Sequence, residues 1–142
     1  LAVTVSIPPV SKEVLKLISV CEKSLYGGID AFKAGYKLGN ISHAIHKIVV
    51  LNGFNVIART GGHGIGKEVH EHPFVPNFGF EDEGVWLFPG TVLALEPIIT
   101  IDKADVILLD NGWTLKANPP TIVANFEHTV ALTENGAEIL TI

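Results

Sequence analysis

The chain has one cysteine, no methionine, no long apolar run and few charges of either sign. A lone Cys21 cannot close an internal disulfide and cannot build a thiolate metal site, which fits a reducing, cytoplasmic setting. The uninterrupted apolar runs, such as Ile48–Leu51 and Val106–Leu109, fall far short of the roughly 18 to 20 residues a membrane helix needs. Lys and Arg number 10 against 15 Asp and Glu, for a net charge of −5, and they are scattered singly. No basic stripe exists to neutralise phosphates, so nucleic acid is excluded as a direct partner. The pattern of a signal peptide is also missing, because no basic region precedes the short apolar start and Ile7-Pro8-Pro9 interrupts it. A chain without methionine that begins at Leu1 is expected to start at a boundary other than a translated one, as a fragment or split-gene product does.

Apolar side chains are abundant. At 142 residues, with 47% hydrophobic and 18% charged content, the chain can bury one core, and a single domain is expected over residues 1–142. Ser11 is a good N-cap, and Val14, Ile18, Cys21, Leu25, Ile29 and Phe32 follow at intervals of three and four, which predicts one long amphipathic helix. Gly27-Gly28 is a place for it to bend. A second helix fits Ile41, Ala44, Ile45 and Ile48, from near Asn40 to Asn52-Gly53.

Elsewhere the period is extended. Leu1–Ile7, Phe54–Arg59, Val92–Ile101, Ala104–Leu109, Trp113–Ala117, Ile122–Leu132 and Ala137–Ile142 read as strands, with turns at Pro89-Gly90, Asn111-Gly112 and Asn135-Gly136. Pro73–Gly84 reads as an ordered surface loop. Helices followed by antiparallel strands argue an α+β fold, with both helices on one face of the sheet.

Three positions carry unusual chemistry. His63 lies in Gly61-Gly62-His63-Gly64-Ile65-Gly66, Glu96 in Leu95-Glu96-Pro97-Ile98, and Glu127 in Asn125-Phe126-Glu127-His128. A carboxylate inside an apolar strand is costly unless a cation or strong donors receive it. Two such strands and an imidazole suit a divalent cation such as Mn, Fe(II), Co or Zn. The plainer readings are glutamates pointing to solvent on the alternate face of a strand, and glycines marking only a hairpin. His70 and His72, two apart, share one face of an extended segment and read as a surface pair, and Trp113 reads as packing.

Gly62-His63-Gly64-Ile65-Gly66, then His70-Glu71 and Pro73, Leu95-Glu96-Pro97, Gly112-Trp113-Thr114, Phe126-Glu127-His128-Thr129-Val130 and Asn135-Gly136-Ala137-Glu138-Ile139-Leu140 together resemble the C-terminal part of the type I methionine aminopeptidases. Their order and spacing match, with 33 residues from His63 to Glu96 and 31 from Glu96 to Glu127. Prolidases and aminopeptidase P enzymes share the same pita-bread fold, but resemble one another in an acidic residue soon after the last glutamate, where this chain has His128. The resemblance implies a pita-bread fold, an antiparallel curved sheet with two helices on its outer face, of which this chain is the C-terminal portion.

It also implies a set of roles. His63, Glu96 and Glu127 become metal ligands, with Glu127 bridging two divalent ions and Glu96 doubling as proton shuttle. His70 becomes the catalytic histidine that contacts substrate and stabilises the developing oxyanion. Trp113 and Val69 fall beside the methionine side-chain pocket. The implied reaction is metal-dependent removal of the initiator methionine from nascent peptides. The chain departs from the family at Glu68-Val69, which stands for a small residue and phenylalanine, and at Thr91, which stands for methionine. The family completes its site with two aspartates and a histidine from an N-terminal half that this sequence does not hold. Two divalent ions with a bridging hydroxide carry more positive charge than Glu96 and Glu127 offset, so this chain alone is expected to hold at most one ion, weakly, and to be inactive. Pairing with a missing half or self-association is expected across an exposed apolar face. The rival readings are a pita-bread relative that binds peptides without hydrolysis, and an Xaa-Pro peptidase.

Overall fold

In the computed structural model, which describes residues 1–141, the Ser11 hydroxyl caps α1 (Lys12–Ala31) by accepting from the Val14 N–H at 3.2 Å. Its expected apolar face is buried through Leu17, Cys21, Leu25 and Ile29. α2 (Leu38–Leu51) ends at Asn52, and Gly53 follows with φ +85°, a conformation glycine adopts freely. α1 runs unbroken through Gly27-Gly28. A Cβ on Gly27 would come within 2.2 Å of Ile48 Cδ1, and one on Gly28 within 2.8 Å of Ile45 Cγ1, so these glycines let the two helices approach. α1 lies against the strands Val92–Leu95, Ile98–Thr100 and Val123–Asn125, and α2 against Asn55–Val56 and Glu71–Pro76.

Ten strands follow, all paired antiparallel: β1 (Asn55–Val56), β2 (Gly61–Gly64), β3 (Glu71–Pro76), β4 (Val92–Leu95), β5 (Ile98–Thr100), β6 (Asp105–Leu108), β7 (Leu115–Asn118), β8 (Val123–Asn125), β9 (His128–Thr133) and β10 (Gly136–Ile139). Among the described residues they are ordered β10-β9-β4-β2-β3, β1-β5-β8 and β6-β7. Leu93, Leu95, Ile99, Ala124, Val130 and Leu132 form the sheets' share of one core with Leu17, Leu25, Phe32, Ile41 and Ile45 of the helical layer. Burying each large side chain contributes about 1.5–3 kcal/mol.

Several expected strands are corrected. The long runs at 92–101 and 122–132 are each cut in two, at Glu96-Pro97 and at Phe126-Glu127. Pro97 has no N–H to give the ladder, and Glu127 turns its backbone to Ala2, donating to it at 2.9 Å and accepting from it at 3.2 Å. The run 54–59 shortens to β1. Residues 1–7 form no strand and join the sheets through the Ala2–Glu127 bridge and through the Thr4 hydroxyl, which donates to the Asn125 carbonyl at 2.7 Å and accepts from the Asn125 N–H at 2.9 Å. Conversely, β2 and β3 arise where glycines suggested a hairpin and where a loop was expected from Pro73. A Cβ on Gly62 would meet the Ala94 carbonyl oxygen at 2.0 Å, so the glycine serves close strand packing. Ile142, the last residue of the final expected strand, lies outside the described residues.

Candidate metal centre

Register alone brings the three candidate residues to one side. His63 of β2 stands opposite Ala94 of β4, and Ala94 stands opposite Thr129 of β9. Directly opposed residues share a face, while Leu93, Leu95 and Val130 on the alternate face enter the core beneath the helices. Glu96 lies two residues beyond Ala94 and Glu127 two before Thr129, so both belong to the side away from the helices. The two interruptions also coincide: Leu95 pairs with His128 and Ile98 with Asn125, which puts Glu96-Pro97 across from Phe126-Glu127. The carboxylates therefore sit at the seam between two sheets, where neither strand continues its ladder.

The backbone of that seam is held from behind. Cys21, fully buried, directs its thiol to the Pro97 carbonyl at 3.3 Å and the Ala124 carbonyl at 3.4 Å. Desolvation pushes that thiol up to about 12, so it stays protonated and donates. The Asn77 amide donates to the Glu96 carbonyl at 3.0 Å.

His63 Nδ1 lies 2.9 Å from the Gly64 carbonyl oxygen, which can only accept, so the proton sits on Nδ1. Nε2 is turned the other way and stands 3.8 Å from Glu96 Oε1. Their side chains are 13% and 21% exposed, sheltered but reachable. Burial, followed by the charge of Glu127, raises the Glu96 carboxyl to about 7, with His63 opposing the rise. Glu127 itself directs Oε2 to the amino group of Leu1 at 3.5 Å. Among the described residues, no three His, Cys, Asp or Glu side chains are drawn tightly enough to hold a metal ion. His63 and Glu96 thus form a near-assembled pair, and Glu127 lies close enough for its charge to raise the Glu96 carboxyl. Two carboxylates that repel each other, with an imidazole beside one of them, are a donor set that fits a divalent cation.

The other expected residues divide. His70 joins the pair, its ring 4.3 Å from that of His63, and is carried by a bend in which Glu71 accepts from the Glu68 N–H at 2.9 Å. A cavity of about 420 Å³ is lined by Gly61, His63, His70, Glu71, His72, Phe74 and Glu96. An adjoining cavity of about 200 Å³, lined in part by Glu96, Phe74, Arg59 and Leu115, extends it past the seam. Val69 and Trp113 are not brought to this group: they are 68% and 89% exposed and line neither cavity. Trp113 sits in the turn between β6 and β7, and it is Leu115 of that hairpin that reaches the site. Phe74, opposite His63 across β2 and β3, is a lining residue that sequence reasoning missed, since its place depends on a register only the structure gives.

The model of metallopeptidase family M24 matches residues 1–134. This chain belongs to metallopeptidase family M24. The M24 chain is 42% identical over 139 residues to the methionine aminopeptidase of Clostridium perfringens, covering 98% of itself and 56% of that protein. It is 42% identical over 132 residues to methionine aminopeptidase 1 of Bacillus subtilis, covering 93% of itself and 53% of the relative. The crystal structure of the Thermotoga maritima methionine aminopeptidase superposes with a TM-score of 0.94 at 40% identity, over 98% of the M24 chain and 56% of that structure. The α+β pita-bread arrangement expected from the motifs is therefore the observed one, and the M24 chain spans about half the length of the relatives it matches. Membership of a metallopeptidase family agrees with divalent-metal use, and among the described residues no helix is long and apolar enough to cross a membrane.

Proposed function

We propose that this chain supplies the imidazole and glutamate side of the metal centre in an aminopeptidase that removes N-terminal methionine from nascent peptides. The observation that carries the reading is the placement of His63, Glu96 and Glu127 on one face at one sheet seam, in a chain about 40% identical to methionine aminopeptidases. His63 would hold a divalent ion through Nε2, and Glu96 and Glu127 through their carboxylates. Such an ion, when bound, acidifies a coordinated water and polarises a peptide carbonyl. Glu96, which lines the cavity, can take a proton from water at Oε1 and return it to a departing amine. His70, open to the cavity, can donate from its ring N–H to a carbonyl oxygen as charge builds there. Phe74 and Leu115 supply apolar walls, whereas Val69 and Trp113 line neither cavity.

A second ion, whether Co, Mn, Fe or Zn, needs carboxylates beyond these two, so the 142-residue chain by itself is expected to bind one ion weakly and to turn over nothing. The single buried thiol supports a reducing cytoplasm as the setting. Exposed Val3, Val5 and Ile7 support pairing with a further polypeptide surface. The deciding experiment is a chimera in which these residues replace the matching portion of the Clostridium perfringens relative. Release of methionine from a Met-Ala-Ser peptide with Mn(II) or Co(II) is expected. A folded, metal-loaded chimera that leaves the peptide intact would overturn the reading.

A further inference from the structure

Asn77 is 1% exposed and follows directly on β3, in the segment expected to be a surface loop. Its amide nitrogen reaches two carbonyl oxygens that belong to different parts of the site: Glu96 at 3.0 Å and Thr60 at 3.4 Å. Thr60 immediately precedes β2, the strand that carries His63, and Glu96 is the residue at which the ladder of β4 stops. Both acceptors are carbonyls, so the NH₂ must face them and the amide orientation follows from chemistry. Its two protons are then divided between the two strands, and Oδ1 is left buried without a partner among the described residues. A buried amide with an orphaned oxygen is a costly choice of residue, since an unpaired polar atom away from water forfeits about 1–3 kcal/mol. A purely apolar residue would avoid that cost but could not hold either carbonyl.

We propose that Asn77 is a positioning residue that sets the spacing between His63 and Glu96. No ladder bond joins β2 to the seam at Glu96, because β2 pairs with β4 only at His63–Ala94 and Gly64–Leu93. The Asn77 amide bridges this gap, tying the base of β2 to the point where Glu96 leaves the sheet. The 3.8 Å separation between His63 Nε2 and Glu96 Oε1 is the quantity it controls. That this spacing serves a cation rests on the metal reading given above, whereas the tie itself does not.

The test uses the 142-residue chain, with Asn77→Ala and Asn77→Asp; the second keeps the volume but removes both N–H donors. Crystal structures of the metal-free variants should show the His63–Glu96 separation lengthened by at least about 0.5 Å, the tolerance within which a ligand set works. Co(II) titration followed by visible absorbance should show affinity reduced about tenfold, the lower end of what losing a supporting hydrogen bond behind a ligand costs. In a Glu96→Gln background Asn77→Ala should cost no further Co(II) affinity, because it acts through Glu96; a merely structural role would lower affinity by the same factor in both backgrounds. Unchanged geometry in folded variants overturns the proposal, as does an equal loss in the two backgrounds. Loss of fold in both variants overturns it too, in favour of a plain packing role. Should the unaltered chain take up no Co(II), the metal reading falls, and the crystallographic separation alone decides the tie.

Discussion

The two faces of the β4–β9 ladder use the same backbone for opposite ends. On the helix side, Leu93, Leu95, Val130 and Leu132 are buried to 1% or less and bind the sheets to the helices. On the other side the alternate positions lead to His63, Glu96 and Glu127, sheltered but open to solvent in part. Stability and chemistry are thus separated by a single side-chain alternation, and a residue's contribution to each follows from the parity of its position.

The largest effect expected is on the reactive face. In the chimera, Glu96→Gln should cut turnover by about 10²- to 10⁴-fold, as loss of a general base does, with little change in urea midpoint. A retained rate with defined metal would contradict the assignment. On the core face, Leu95→Ala should cost about 2–5 kcal/mol in urea unfolding, whereas Phe74→Ala on the open face should cost about 1 kcal/mol or less. Equal losses would erase the distinction between the faces. Within the helical layer, Gly28→Ala should cost about 1–3 kcal/mol, because its Cβ meets Ile45 side-chain atoms at 2.8 Å and 2.9 Å. A gain from better helix propensity would show that Ile45 simply moves aside.

A smaller effect is electrostatic. The Glu96 carboxyl is raised from 4.5 to about 7, so the metal-free fold binds its proton more tightly than the unfolded chain does. The resulting stabilisation is full below pH 4.5 and is lost as pH rises through about 7. Glu96→Gln should flatten that decline, and an unaltered slope would place the source elsewhere. The smallest is kinetic: Cys21, fully buried and held up to about 12, should resist alkylation in the native protein and react only on unfolding. Rapid native labelling would mean the packing behind the seam opens.

Much of this was legible in the residues. The 3.6 period of α1, its Ser11 cap and the Asn52-Gly53 stop appear in the structure, because a helix written on one amphipathic stripe is a local signal. The candidate residues could be picked out because ionisable groups in apolar runs need a physical reason. What could not be read is how the strands stop. Pro97 is a visible terminator, but the matching interruption at Phe126-Glu127 depends on Ala2, more than a hundred residues away. The glycines before His63 misled for a related reason: their small size answers the neighbouring carbonyl of Ala94, which no local pattern announces. Asn77 carries no sequence signal, since one asparagine after a proline looks like any turn.

The coincidence of the two interruptions has a further consequence for variation in length. Ile98 and Thr100 of β5 pair with Asn125 and Val123 of β8, so both ends of the excursion between these strands are clamped just beyond the seam. Residues inserted or deleted between 101 and 122 change the β6–β7 hairpin without shifting either glutamate. Because Leu115 on that hairpin edges the cavity beside Glu96, a change in the excursion would reshape one wall of that cavity while both carboxylates keep their places.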